Sequence, residues 1–343
     1  MRILLIMDPC IPVPPRYYGG IERVVADLAD GFVARGHDVS LWAAPGSGTT
    51  AVGRPFGREG EWTRWSNLRN VVTLTTRFWS GPPFDVVHNF GRLAYLAGIF
   101  RSDVAKVQTY MRPVHARNMT LAWRMGARRL HFTAVSDAIR RTGAPGGGSW
   151  SVIYNCARAE AYAPRDEVDA GTAPLVFLGR LERCKGAHAA IDVASRLRRP
   201  LIIAGTISSI PAERDYYERE LAPRIDGTLV RYIGPVDDAA KRALLADAAA
   251  LLSPVEWEEP FPIIIPEALL SGTPVVAFRR GGMPEGIDHG RTGFLCDTVD
   301  DMVEAVGRLA AIDRRECRRE GERRFSADTI VGDYLGLYAG LLS

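Results

Sequence analysis

The chain is poor in lysine. Only Lys106, Lys185 and Lys241 occur among 43 basic residues, so nearly all positive charge is arginine and each lysine stands out as a candidate for a specific role. A formal charge of +3 is too small by itself to argue for nucleic acid or a membrane surface. No apolar run approaches the ~18 residues that a membrane-spanning helix needs. The five cysteines, Cys10, Cys156, Cys184, Cys296 and Cys317, are odd in number and scattered, without a Cys-x-x-Cys pair. That argues against a disulfide framework or structural zinc and fits a reducing cytosol. Met1 leads straight into an apolar strand, without a signal peptide's charged start and small-residue cleavage site, so a cytoplasmic location is expected. The dinucleotide fingerprint G-x-G-x-x-G is absent at the first strand-to-helix turn, which counts against a nicotinamide dehydrogenase.

What is there reads as a two-domain α/β protein. The 343 residues, 47% apolar and 24% charged, suit two domains of about 150 residues each. Continuous apolar strands alternate with amphipathic helices, the signature of parallel sheets. In the first half, strands are expected at 2–7, 39–43, 85–88, 105–110, 132–135 and 151–154. A helix is expected over 21–34, and Ser136 should cap the one that follows Val135. Residues 46–61 read as a mobile loop and 155–172 as a linker. The second half repeats the architecture, with strands at 174–178, 201–204, 229–233, 250–252 and 275–278 and helices over 187–197, 212–221 and 239–248. From Asp300 the tail is helical, with Phe325, Ile330, Tyr334, Leu337 and Leu341 at helical spacing.

Two stretches carry candidate chemistry. Gly179-Arg180-Leu181-Glu182-Arg183-Cys184-Lys185-Gly186 joins a buried strand to a helix, where open α/β sheets bind ligands. Arg180 suits a two-pronged grip on phosphate and Lys185 adds a point charge near a helix start, although such loop cations are also ordinary surface charges. The second stretch runs from Glu256 to Val276 and places Glu259 and Glu267 around a Pro-rich apolar loop. Carboxylates so placed accept hydrogen bonds from hydroxyls, which a sugar nucleotide offers in number. Gly19-Gly20 before the first helix fits either a phosphate approach or a plain tight turn.

These residues resemble a family. Tyr18-Gly19-Gly20-Ile21-Glu22, Phe177-Leu178-Gly179-Arg180-Leu181 with Lys185-Gly186, Glu259-Pro260-Phe261 with Glu267-Ala268 and Gly272-Thr273-Pro274-Val275 look like retaining glycosyltransferase family 4. So do Gly281-Gly282-Met283-Pro284-Glu285 and Gly290 to Leu295. The likeness spans essentially the whole chain, with the more specific motifs in the second half. It implies the GT-B architecture: two Rossmann-like domains with parallel sheets facing a central cleft, and a last helix crossing back. The domains would be 1–160 for the acceptor and 161–324 for the nucleotide sugar, with 325–343 packing back on the first.

The resemblance also implies roles. Arg180 and Lys185 would hold the donor diphosphate, Glu259 would face the sugar, and Glu267 would accept from ribose hydroxyls. Backbone groups around Phe261, Pro262, Ile263 and Ile264 would contact sugar and diphosphate, Ile233 and Val236 would lie by the base, and Gly179, Gly19 and Gly20 would admit the donor. No metal and no cofactor is implied, the nucleotide sugar being a substrate and UDP the expected product. The reaction would proceed on one face of the sugar, with a phosphate oxygen taking the acceptor's proton and no protein nucleophile.

Three departures from the family pattern qualify this. Met111 stands where a His is usual, and a thioether cannot donate a hydrogen bond, so any contact there must come from backbone, or another group such as His88 (itself a structural or cleft-lining residue) or His115 must substitute. Pro262 replaces a glycine and removes one amide. Asn89-Phe90 follows His88. On the acceptor side, Arg112, His115, Arg117, Arg124, Arg128 and Arg129 fit an anionic acceptor, a lipid-head-group face or a solvated helical face. The expected acceptor is a hydroxyl of a small natural product of the antibiotic kind. The alternatives are a membrane-surface transferase for lipid or envelope sugars, and a nucleotide-sugar-binding module without catalysis.

Overall fold

The computed structural model describes residues 1–15, 19–61, 63–165 and 167–343. Tyr18 of the first family motif lies outside the described residues. The chain forms two units, Met1–Cys156 with Ala327–Ser343, and Ala157–Ser326. The expected divisions at 160/161 and 324/325 compare with 156/157 and 326/327.

In the first unit the elements run β1 (Arg2–Ile6), α1 (Gly20–Ala34), β2 (Asp38–Ala43), β3 (Val52–Pro55), α2 (Arg64–Ser80), β4 (Val86–Asn89), β5 (Ala105–Tyr110), α3 (Ala116–Arg124), β6 (Leu130–Ala134), α4 (Asp137–Gly143) and β7 (Ser149–Val152). The seven strands form one sheet in the order β3-β2-β1-β4-β5-β6-β7, all neighbours parallel. Ile3 to Ile6 are buried on both faces, which is why β1 reads as an unbroken apolar run. Ser136 caps α4 by accepting from the Ile139 amide.

The region 46–61, expected as a loop, contains β3. This is an exposed edge strand ending in Pro55, which an edge tolerates because one side needs no amide. Helix α2 carried no sequence assignment. Its inward face is thin: Ser66, Asn70 and Leu74 are buried and Val71 and Phe78 pack on the core.

The second unit runs β8 (Leu175–Leu178), α5 (Ala187–Leu197), β9 (Leu201–Ala204), α6 (Pro211–Tyr216), β10 (Val230–Tyr232), α7 (Asp238–Asp247), β11 (Ala250–Ser253), α8 (Ile264–Leu270), β12 (Val275–Phe278), α9 (Met283–Gly286), β13 (Gly293–Cys296), α10 (Val299–Gly307) and α11 (Arg314–Phe325). Its parallel sheet has the order β10-β9-β8-β11-β12-β13. Strand order reverses between β1 and β4 in one unit and between β8 and β11 in the other, the switch points where such sheets bind ligands.

The tail is three helices. α11 ends at Phe325 within the second unit, and α12 (Ala327–Leu342) belongs to the first. The buried face of α12 is Ile330, Val331, Tyr334 and Tyr338, while Leu337 and Leu341 are only partly covered. Tyr338 packs against Phe32 of α1 at 5.6 Å between ring centres.

Candidate functional site

The site builds on the loops after β8 and β11, adjacent strands at the second unit's switch point. After β8 the chain makes a short turn, Arg183–Lys185, and enters α5 through Gly186. Gly186 sits at φ +77°, and a Cβ there would lie 1.9 Å from the Pro254 carbonyl oxygen. Only glycine permits that approach. The Glu256 amide donates to the Cys184 carbonyl at 2.8 Å, so the two loops are stitched together. On the far side, Gly281 at φ +53° lies against the Glu259 backbone, and the Gly282 amide donates to the Glu259 carbonyl at 2.7 Å.

This stitching brings Lys185 and Glu259 together. Lys185 Nζ lies 2.5 Å from Glu259 Oε2, and Trp257 Nε1 donates to the same oxygen at 2.6 Å. Lys185 Nζ also lies 5.1 Å from the centre of the Trp257 ring. Glu259 is buried. A buried carboxylate needs such partners, and Lys185 and Trp257 supply them. Arg180 is half-buried and donates from Nη1 to Glu182 Oε1 at 2.6 Å; Glu182 itself is buried and also accepts from Ser208 Oγ at 3.4 Å.

Glu267 lies in the first turn of α8 and is fully buried. Its Oε1 pairs with Lys241 Nζ of α7, while Oε2 is buried without a hydrogen-bond partner. An unpartnered buried carboxylate oxygen is costly, and a ligand hydroxyl would satisfy it. Ile233 is exposed and Val236 half-buried after the end of β10. Gly179 closes β8, with its amide on the Ala204 carbonyl at 3.1 Å. Pro262, Ile263 and Ile264 are half-buried where α8 begins. The Phe261 side chain points instead into the core, 5.4 Å from the Phe325 ring, which leaves only its backbone for a ligand.

At the first unit's switch point, Gly19 caps α1 at φ +145°, and Gly20 opens the helix. Asp8, Glu22 and Tyr95 gather there, and Tyr95 Oη donates to Asp8 Oδ1 at 2.8 Å. Burial raises the Glu22 carboxyl above its ordinary range; its own amide and Arg112 oppose this and Asp8 adds to it. Burial, with help from Asp8, pushes the Cys10 thiol up to about 11. Of the acceptor candidates, Arg112 and His115 are exposed and Met111 is half-buried, all on the stretch between β5 and α3.

His88, read from the sequence as a structural or cleft-lining residue and a candidate acceptor contact, has no exposed surface, which is the structural alternative. Its Nδ1 meets Tyr338 Oη at 2.5 Å, its Nε2 meets Thr109 Oγ1 at 2.6 Å, and its ring lies 3.9 Å from that of Phe90, tilted by 32°. Burial holds the imidazole neutral, its basicity well below the usual range. It anchors α12 to the sheet. Asn89 is likewise buried, donating to Gln108 Oε1 at 2.5 Å.

Sequence reasoning missed Trp257, Lys241 and Glu182. Lys241 carried a signal, its rarity. Trp257 and Glu182 sat inside the quoted motifs without an assigned role. Among the described residues, no three His, Cys, Asp or Glu side chains group as a metal site would require.

The comparisons with known proteins fall on both units. The family described as Glycosyltransferase Family 4 matches residues 18–160, and that described as Glycosyl transferases group 1 matches residues 173–311. The chain is 28% identical to glycogen synthase of Mycobacterium tuberculosis, over 96% of this chain and 91% of that protein. A crystal structure of a glycosyltransferase involved in avilamycin A biosynthesis superposes with a TM-score of 0.74 at 26% identity, covering 100% of this chain and 98% of the other. The Anabaena protein HepE in complex with UDP-glucose gives a TM-score of 0.74 at 20% identity, covering 99% and 100%. With both halves matched in order and both parallel sheets in place, the chain belongs to the family 4, group 1 glycosyltransferases of GT-B fold.

Proposed function

We propose that the chain is a retaining, metal-independent transferase that moves a sugar from a nucleotide diphosphate donor, UDP for preference, to a hydroxyl of a small natural-product acceptor. One observation carries the reading. Lys185 pairs with Glu259 at the second unit's switch point, Arg180 lies on the same loop after β8 and pairs with Glu182, and the same unit holds Glu267 with an unpartnered buried oxygen. In this reading Arg180 and Lys185 take the charge that grows on the departing diphosphate, work that fixed cations do without a metal. Glu267 Oε2 accepts from a ribose hydroxyl. The backbone of 261–264 meets sugar and diphosphate, and Ile233 and Val236 flank the base. No cofactor is needed.

The bond from the anomeric carbon to the diphosphate oxygen breaks while the acceptor oxygen bonds to that carbon on the same face. The acceptor's proton passes to a diphosphate oxygen. Glu259, already engaged by Lys185 and Trp257, serves as a positioning carboxylate rather than a nucleophile. UDP-glucose in HepE supports a UDP donor, and the avilamycin-pathway likeness supports an orthosomycin-type antibiotic acceptor. A lipid or envelope acceptor is the second reading, favoured by the exposed Trp65, Leu68, Val72 and Trp79 of α2.

A thermal-shift screen of UDP, GDP, ADP and TDP sugars tests the donor. A ligand at 100 times its Kd stabilises by about 2.7 kcal/mol. Stabilisation by none of them sinks the proposal. Donor binding without UDP release would leave a binding module instead. Turnover abolished by EDTA would contradict metal independence, and a covalent sugar on Glu259 by intact mass would overturn the same-face route.

A further inference from the structure

Helix α2 is apolar on the wrong side. Trp65, Leu68, Val72 and Trp79 are 80, 55, 53 and 62% exposed. Their spacing of three, four and seven residues puts them on one stripe, opposite the face that packs Leu74 on the core. The helix carries Arg64, Arg69 and Arg77 and no acidic residue. Over residues 54–80 there are five arginines, Arg54, Arg58, Arg64, Arg69 and Arg77, against Glu59 and Glu61, a balance of +3 that equals the net charge of the whole chain. Arg77 Nη1 donates to the Pro55 carbonyl at 2.8 Å, which ties the helix to the exposed edge strand β3, where Val52 is also 58% exposed. Scattered exposed apolar residues are ordinary; a continuous stripe with two tryptophans marks a docking face.

We infer that the outward face of α2 docks on an anionic lipid surface, lying in the plane of the interface. Three features select that occupant. Tryptophans near both ends suit the boundary between head groups and acyl chains. Arg64 and Arg69 flank the stripe, Arg69 also pairing with Glu61, and no acid lies on the helix itself, which suits anionic head groups. A second copy of the chain is disfavoured, because pairing this face with itself would oppose two net-positive surfaces. Among the described residues, no helix is long and apolar enough to cross a membrane, so the contact is peripheral. The inference goes beyond the donor chemistry and is tested without it.

The test is flotation of the full chain with vesicles of phosphatidylcholine alone or mixed with phosphatidylglycerol. The wild type should float with the anionic vesicles and bind the neutral ones at least tenfold less. Trp65→Ser with Leu68→Gln, which removes outward atoms only, should cut binding tenfold or more while the melting curve and UDP-induced shift stay unchanged. Arg64→Glu with Arg69→Glu should do the same and flatten the salt dependence. Should the apolar variant fail to fold, quenching of wild-type tryptophan fluorescence by brominated acyl chains decides, and no quenching overturns the inference. It is equally overturned if the wild type does not float, if the variants bind as well as the wild type, or if the wild type is a dimer that Trp65→Ser with Leu68→Gln converts to a monomer.

Discussion

Lys185 and Glu259 form the pair on which the proposed donor site turns. Each is poorly exposed, and Glu259 also receives the Trp257 indole. Breaking one side of such a pair strands the other charge, at about 3 kcal/mol or more. Lys185→Ala should therefore lower the melting temperature and weaken UDP binding at least tenfold, about 1.4 kcal/mol. Lys185→Ala combined with Glu259→Ala should recover stability but not affinity, because the stranded carboxylate is gone while the diphosphate's cation is still missing. Calorimetric titration with UDP and thermal melts separate the two, and unchanged UDP affinity in Lys185→Ala would remove Lys185 from the site.

Lys106 is a residue-scale case with a pH signature. It is fully buried in β5, and its ammonium donates to the carbonyls of Ser102 and Val104, both at 2.8 Å. Burial pulls its pKa down from 10.5 to about 8. The folded state thus binds fewer protons than the unfolded chain between those values, so stability attributable to this group rises with pH across that window. Below pH 8 the cost of holding it charged is fully present. Thermal melts should show the wild type gaining on Lys106→Met between pH 8 and 10.5. A pH-independent difference would contradict the assignment.

At the scale of elements, the proposed donor site depends on turns more than on helices or strands. Gly186→Ala would force a Cβ against the Pro254 carbonyl at a left-handed φ. The expected cost is about 1–3 kcal/mol. Because Cys184 and Glu256 share a hydrogen bond across the same junction, UDP affinity should fall with stability. A variant with normal UDP affinity would show that the junction does not set the site.

The strands β1, β8 and β12 were legible because burial on both faces writes a continuous apolar run. Helix α5 was legible because one face only is buried, which writes a 3.6-residue period. By the same logic α2 and β3 were illegible. An edge strand with four exposed residues has no buried pattern to show. A helix with outward tryptophans and an inward serine and asparagine inverts the usual one.

At the scale of the whole molecule, the second unit is one continuous segment while the first is closed by α12 from the chain's end. A fragment of residues 157–326 contains Arg180, Lys185, Lys241, Glu259 and Glu267 together with the full six-stranded sheet. It should melt cooperatively and bind UDP. A chain ending at 326 should leave the first unit unfolded, since it loses the buried Tyr334 and Tyr338 and uncovers His88. A cooperative melt of a 1–156 fragment would refute this.

The sequence by itself determined the two parallel α/β repeats and the loops where Arg180, Lys185, Glu259 and Glu267 would lie. Those follow from patterns within about twenty residues, because solvent exclusion along one strand or helix is a local property. Only the tertiary structure decided which partners meet. Lys185 reaches Glu259 across 74 positions, Glu267 keeps one oxygen for Lys241 and one unpartnered, and His88 is sealed by Tyr338 from 250 positions away. Hydrogen bonds and ion pairs act over a few ångströms and depend on where the chain returns, which no local period records.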